Sequence, residues 1–155
     1  MKKIKLTQGY FAKVDDSDFE LLNEYKWSLL KSHTNHFYAR RSSLVNGKVI
    51  LMHRLLLNYP TCSDHINGDG LDNQRHNLRE CTFRENQGNR RKLGEFTSVY
   101  KGVYWEKCRK KWRAKITKGM SPFHIGYFDN EMDAAKAYDK VALEYFGEFA
   151  NINFK

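Results

Sequence analysis

The sequence predicts an α+β protein in three parts: a strand-rich N-terminal scaffold, a central strand–loop–strand–helix unit, and a C-terminal three-stranded antiparallel sheet packed on one helix. Three observations predict it. In 111–118, Trp112, Ala114 and Ile116 alternate with Arg113, Lys115 and Thr117, the period of a strand with one apolar and one basic face. Further on, Met132, Ala135, Tyr138, Ala142 and Tyr145 recur at helical spacing, and Gly147 follows as a stop. Upstream, 64–73 is a loop crowded with Asn, Gly and Asp, ahead of a short apolar–polar run, 77–81.

The scaffold is assigned to residues 1–58. Lys3-Ile4-Lys5-Leu6 and Tyr10-Phe11-Ala12-Lys13-Val14 flank a Gln8-Gly9 turn. Ser17 or Asp16 can cap a helix through Phe19–Tyr25. Phe37–Arg41 and Lys48–Met52 bracket Asn46-Gly47, the strongest short hairpin signal. Nothing here has a catalytic arrangement.

The central unit is assigned to 59–92. Tyr59-Pro60 breaks the chain, and the loop Asp64–Asn73 and the run Asn77–Cys81 follow. Thr82 with Glu85 fits a capping box for a helix running to Arg91. Residues 93–97 read as a linker. From 98 to 155 the pattern is βββα, with strands Val99–Glu106, Lys111–Lys118 and Phe123–Phe128 and a helix from Asn130 or Glu131 to Phe146. Trp112 belongs on the core side with Ala114 and Ile116.

Charge sharpens this division. The chain of 155 residues carries a formal charge of +9. Met1–Leu30 is neutral, with five lysines against five acids, whereas Arg84–Lys118 holds twelve basic and three acidic residues and so carries the whole excess. A basic stripe interleaved with Tyr100, Tyr104, Trp105 and Trp112 suits a phosphate backbone; by charge alone a solvated basic surface fits equally well. The three cysteines, Cys62, Cys81 and Cys108, form no CxxC pair, which argues against a disulfide framework or a four-cysteine zinc site. No stretch approaches the roughly 18 apolar residues of a membrane span, and no apolar leader follows the basic N-terminus. The expectation is a cytoplasmic protein with no membrane partner and no obligate protein partner.

One constellation carries chemistry. Asp64 and His65 are adjacent at a strand end, Asn77 begins the next strand, and Asn86 lies on the following helix. A carboxylate and an amide oxygen are hard ligands suited to one Mg²⁺ or Mn²⁺, and a neutral imidazole takes a proton from water at neutral pH. Asp, Asn and Gly are also common turn formers, so the residues alone leave both readings open.

Asp64-His65-Ile66-Asn67-Gly68-Asp69, then Asp72-Asn73, Asn77-Leu78-Arg79 and Glu85-Asn86, preceded by His53-Arg54-Leu55, resembles the HNH endonuclease signature in the branch found in homing endonucleases of phages and introns. The resemblance implies a ββα-metal finger, with His65 as general base, Asp64 and Asn86 as metal ligands, and Asn77 orienting the base and bracing the loop. Asn89, one turn further on, is the second choice for the Asn86 role. Asn in place of the motif's last His favours an oxygen-seeking metal over zinc. His53 reads as a packed residue, His76 as a loop residue, and His33 and His36 carry no signal.

The C-terminal segment resembles the Apetala/ethylene-response-factor DNA-binding domain. The resemblance rests on Tyr100-Lys101-Gly102-Val103, Trp112-Arg113-Ala114-Lys115-Ile116, Ile125-Gly126-Tyr127-Phe128, Ala134-Ala135-Lys136-Ala137-Tyr138-Asp139 and Gly147–Phe154. It implies a sheet laid in the major groove of double-stranded DNA. Lys101, Tyr104, Glu106, Lys115, Thr117 and His124 fall at the family's contact positions, and Arg113 joins them by strand alternation. Lys, Tyr and Thr stand where the plant proteins carry arginines, which implies looser base readout and affinity dominated by phosphate contacts.

The function expected is therefore a metal-dependent DNA endonuclease, nicking or cutting both strands. The rivals are a DNA-binding regulator with an inactive nuclease centre and an RNA-binding protein, which the C-terminal pattern disfavours.

Overall fold

The computed structural model describes residues 1–32, 36–43, 47–90 and 97–154. The chain forms two compact units, Met1–Thr82 and Phe83–Lys155. His33, Asn46 of the expected Asn46-Gly47 turn, Arg91, and 93–96 of the expected linker lie outside the described residues. The architecture is α+β, as the sequence implies.

The first unit begins with a hairpin, β1 (Lys2–Lys5) and β2 (Phe11–Val14), closed through Gly9 at φ +81°. Helix α1 (Asp16–Asn23) follows, preceded by Asp15, whose side chain makes no cap hydrogen bond because it is used elsewhere. The three-stranded antiparallel sheet has the order β3 (Ser28–Lys31), β4 (Phe37–Ser42), β5 (Val49–Leu51). The expected strand over Lys48–Met52 is shorter: at Met52 the chain turns into α2 (Met52–Leu56). The apolar run Ile50-Leu51-Met52 hides this change, because its three residues suit either element. A second antiparallel hairpin, β6 (Ser63–His65) with β7 (Leu78–Glu80), completes the unit.

One core holds these pieces together. Ile4, Leu6, Ala12, Val14, Leu22, Trp27, Ala39, Met52 and Leu56 cluster with Leu78 of β7. Trp27 is fully enclosed, and its indole N–H donates to the Leu22 carbonyl at 2.8 Å. The scaffold and the β6–β7 hairpin thus bury their apolar faces against each other.

The second unit opens with α3 (Phe83–Asn89), seven residues long. An antiparallel sheet follows in the order β10 (Ser121–Phe128), β9 (Lys111–Lys118), β8 (Val103–Glu106). Strand β9 has the bounds its alternation predicts, and α4 (Glu131–Phe146) starts where Asn130 accepts a hydrogen bond from the Met132 amide and stops at Gly147. Ala134, Ala135, Tyr138, Ala142 and Phe146 are its buried residues, while Met132 is exposed. Strand β8 begins at Val103, not Val99, because the chain turns at Gly102 (φ +78°); a Cβ there would run into the Tyr138 ring and lie 2.8 Å from the Lys115 carbonyl oxygen. Among the described residues, no helix is long and apolar enough to cross a membrane.

Candidate active site and nucleic-acid interface

The β6–β7 hairpin pairs Asp64 with Arg79 and His65 with Leu78, and the connecting loop folds back over its end. Asn77 braces that loop from inside. Its Oδ1 accepts from the Asn67 amide at 2.9 Å, and its Nδ2 donates to the Asp72 carbonyl at 2.7 Å and to Asn67 Oδ1 at 3.1 Å. Asp69 and Asp72 tighten the turn through Leu71 N–H and Asn67 Nδ2. A side chain with both a donor and an acceptor, almost fully buried, meets this demand for both roles at one point.

The scaffold holds the same loop from outside. Lys13 of β2 exchanges backbone hydrogen bonds with Leu71 and Asn73, each 2.8 Å. Asp15 accepts from the Arg75 amide at 2.7 Å, which keeps its carboxyl below the usual carboxylate range, and Arg75 grips both oxygens of Asp18 at 2.7 and 2.8 Å. Gly70 presses against β4, where a Cβ would collide with the Phe37 carbonyl oxygen and the Tyr38 ring.

His65 sits in this frame, 6% exposed. Its Nε2 lies 3.2 Å from Asn73 Oδ1. Burial pushes its pKa below the ordinary histidine value, against the opposing pull of the Asn73 hydrogen bond and of Asp64, Asp69 and Asp72. The ring is therefore neutral at pH 7, yet placed among groups that favour the cation it becomes on taking a proton. Around it stand His53, ring centroids 4.9 Å apart at 76°, and Tyr38 at 6.0 Å. Asp64, also buried, accepts at Oδ2 from Arg79 Nη2 (2.9 Å) and Nε (3.2 Å).

In the second unit, register assigns one sheet face. Tyr104 stands opposite Arg113, Glu106 opposite Lys111, His124 opposite Lys115, and Tyr127 opposite Arg113 on the other side. Lys115 lies 4.5 Å from the Tyr104 ring centre and Arg109 lies 4.8 Å from that of Tyr127, so cations and aromatic faces alternate across the surface. Arg113 approaches Glu106 at 3.9 Å. The opposite face carries Val103, Ala114 and Ile116 into the packing with α4.

Comparison with known proteins finds similarity along nearly the whole chain. Residues 98–148 fit the AP2 domain model. Over 61 residues, 38% of the chain, it is 36% identical to the APETALA2-like protein 2 of Oryza sativa, and it spans 14% of the length of that relative. Over 153 residues, 94% of the chain and 76% of the relative, it is 30% identical to a protein of Acanthamoeba polyphaga mimivirus described as an uncharacterised HNH endonuclease. The chain belongs to the HNH endonuclease family. It joins an HNH segment to an AP2 domain, and this combination supports a nuclease or DNA-binding role in general terms.

Within the HNH segment, the hairpin gathers Asp64, His65 and Asn77, while Asn86 lies on α3 of the second unit. Sequence reasoning overlooked Asn73, which reads as one more turn former, Arg79, which reads as part of an alternating strand, and Tyr38, which is distant in the chain. Within the AP2 domain, Tyr104, Glu106, Arg113, Lys115, Thr117 and His124 share the open face by register. Lys101 is placed differently. It precedes β8, its ammonium donates to the Gly88 carbonyl at 2.7 Å near the Tyr138 ring, and burial lowers its pKa to about 8. Tyr127 joins this face because a bulge between His124 and Gly126 puts residues three apart on the same side, which period-two alternation does not anticipate.

Proposed function

We propose that this HNH family member is a metal-dependent endonuclease that hydrolyses phosphodiester bonds in double-stranded DNA, with His65 as general base and the AP2 sheet as the DNA-gripping surface. The observation that carries the reading is the buried, neutral imidazole of His65, hydrogen-bonded to Asn73 and adjacent to the Asp64 carboxylate. Water gives a proton to His65. With Nε2–H donating to Asn73 Oδ1, Nδ1 is the nitrogen left to take the proton, and the same hydrogen bond strengthens as the ring becomes an imidazolium. Asn77 keeps the loop closed and so holds Asn73 and His65 in one frame.

Asp64 is a buried carboxylate, and Asn86, chosen only by its place in the motif, would supply an amide oxygen. A carboxylate and an amide oxygen are donors of the kind Mg²⁺ or Mn²⁺ takes, one or two protein oxygens with water and phosphate completing the shell. Among the described residues no three His, Cys, Asp or Glu side chains gather to hold a metal. When bound, the cation would neutralise charge on the phosphate as the bond to the leaving oxygen breaks. Arg79 already neutralises Asp64, so the cation has to share that carboxylate or displace the guanidinium.

The same ion pair favours a second reading, a DNA-binding protein with an inactive centre. Plasmid nicking with and without Mg²⁺ separates the two. Active nuclease requires metal-dependent nicking by the wild-type chain and its loss in His65→Ala, with DNA binding retained. Binding without nicking in Mg²⁺ or Mn²⁺, or undiminished nicking in chelator, sinks the metal-nuclease reading.

A further inference from the structure

His53 lies outside the proposed catalytic set, yet its ring lies 4.9 Å from that of His65, nearer than the ring of Tyr38 at 6.0 Å. It is the second residue of α2, whose Met52 and Leu56 are locked in the core, and it is 7% exposed. The chain reverses directly after this helix through Asn58 (φ +58°) and Tyr59 (φ +60°), with the Tyr59 amide donating to the Arg54 carbonyl at 2.6 Å and Arg54 Nη2 to the Pro60 carbonyl at 3.0 Å. The backbone of His53 is therefore fixed from both sides.

Its ring is fixed by packing. Nδ1 is buried and has no hydrogen-bond partner among the described residues, so that atom does not orient the ring. Tyr38, 5.5 Å away, and His65, 4.9 Å away and nearly perpendicular, supply the contacts instead. The hydrogen bond to Asn73 holds His65 at Nε2, and the perpendicular His53 ring packed against the imidazole restrains its plane about that point.

We propose that His53 is a positioning residue for His65, its ring setting the plane of the imidazole that takes the proton from water. This rests on the reading of His65 as the base. An aromatic ring is what the role requires, so Phe should serve in its place and Ala should not.

The test uses the full chain with two variants, His53→Ala and His53→Phe. Side-chain ¹⁵N NMR follows His65 without DNA, and kcat, KM and DNA affinity are measured with a nicking substrate. In His53→Ala the His65 nitrogen signals should broaden or split between tautomers, and kcat should fall about 10- to 100-fold with KM and affinity within about two-fold, since small misplacements of a reacting group cost rate and not binding. His53→Phe should restore sharp His65 signals and kcat to within about three-fold of wild type. Wild-type signals and kcat in His53→Ala overturn the proposal. So does a folded His53→Phe variant whose His65 signals are as disordered as those of the alanine variant, and this comparison stands even if His53→Ala fails to fold. If the wild-type chain cuts no DNA, the nuclease reading fails, while the NMR comparison still decides whether His53 orders His65.

Discussion

Asp64 and Arg79 face each other across the β6–β7 hairpin, joined by two hydrogen bonds into a single carboxylate oxygen. Both side chains are largely buried, so neither charge is compensated by water. Removing the guanidinium in Arg79→Met should cost about 2–3 kcal/mol, because the buried carboxylate loses two charge-assisted hydrogen bonds from this partner. A bound divalent cation would replace that partner. Mg²⁺ should therefore raise the melting temperature of Arg79→Met more than that of the wild type, measured by thermal denaturation across a magnesium titration. An equal response in both proteins would show that the cation does not bind at Asp64.

The two buried imidazoles make a prediction about acid. Burial, with the nearby His65 ring and Arg54, lowers the pKa of His53 from 6.5 to about 3, and burial lowers that of His65 as well. The folded protein then declines protons that the unfolded chain accepts below about pH 6.5. Stability should be level above that pH and fall as pH drops through it, by about 2 kcal/mol at pH 5 from His53 alone. Asp15 acts in a separate, lower window, since its depressed pKa contributes stability that is lost only as pH falls below the ordinary carboxylate value of 3.8. Urea unfolding midpoints at pH 7.5 and pH 5 check this, and His53→Phe should flatten the slope. Identical midpoints in the wild type would mean that His53 is not buried as a neutral ring.

The sequence makes some of this architecture readable and leaves some of it hidden, for physical reasons. Strand β9 and helix α4 are legible because local signals agree: period two in Lys111–Lys118, and helical spacing between Asn130 and Gly147. Asp64, His65 and Asn77 are legible because they lie close in the chain within a motif of fixed spacing. The ring cluster of Tyr38, His53 and His65 is not, since it depends on α2 and β4 packing beside the hairpin, and nothing local marks it. Lys101 goes astray for a related reason. Its place in a motif block suggests a contact residue, but the turn at Gly102 delays β8 and leads its ammonium into the packing of α3.

Asp139 should prove a strong stability determinant of the AP2 domain. It is buried on α4, and its two oxygens accept from the amides of Asn153 and Phe154 and from Asn153 Nδ2, all between 2.8 and 3.0 Å. Asn153 in turn bridges to the Lys101 backbone at 2.7 and 3.2 Å. Asp139→Ala strands two backbone donors and releases the C-terminal segment from the chain ahead of β8. A loss of about 3 kcal/mol is expected, from charge-assisted hydrogen bonds left unmade. Chemical denaturation of the variant checks the magnitude, and a change below about 1 kcal/mol would show that solvent replaces the carboxylate.

On the sheet face, Lys115→Ala and Arg113→Ala should weaken DNA binding by similar factors on any duplex sequence. Each should also flatten the dependence of log affinity on log salt by about 0.9 if it removes one phosphate contact. Lys115 is the cleaner probe, since Arg113 shares its charge with Glu106. Fluorescence anisotropy across a salt series measures both slopes. Loss confined to one sequence would indicate base reading in place of backbone contact.

Cys62 and Cys81 are nineteen residues apart and show no motif, yet pairing of Ser63 with Glu80 brings them opposite each other at the open end of the β6–β7 hairpin, with sulfurs 3.7 Å apart. The Cys81 amide donates to the Cys62 carbonyl at 3.2 Å, and such a hydrogen-bonded cross-strand pair has a Cα separation of about 5.5 Å, inside the range a disulfide spans. Oxidised glutathione should therefore join them without moving the backbone, two thiols giving one disulfide and two molecules of reduced glutathione. The reaction should be slow at neutral pH, because burial beside Cys62 pushes the Cys81 thiol up to about 12 and thiolate is scarce. Exposed Cys108 should form a mixed disulfide first. Non-reducing peptide mapping after prolonged oxidation should yield a Cys62–Cys81 crosslink and a melting temperature higher by several degrees, as expected for closing a loop of about 20 residues. Complete modification of Cys108 with both buried thiols still free to alkylate after denaturation would show that the pair is too well enclosed to react.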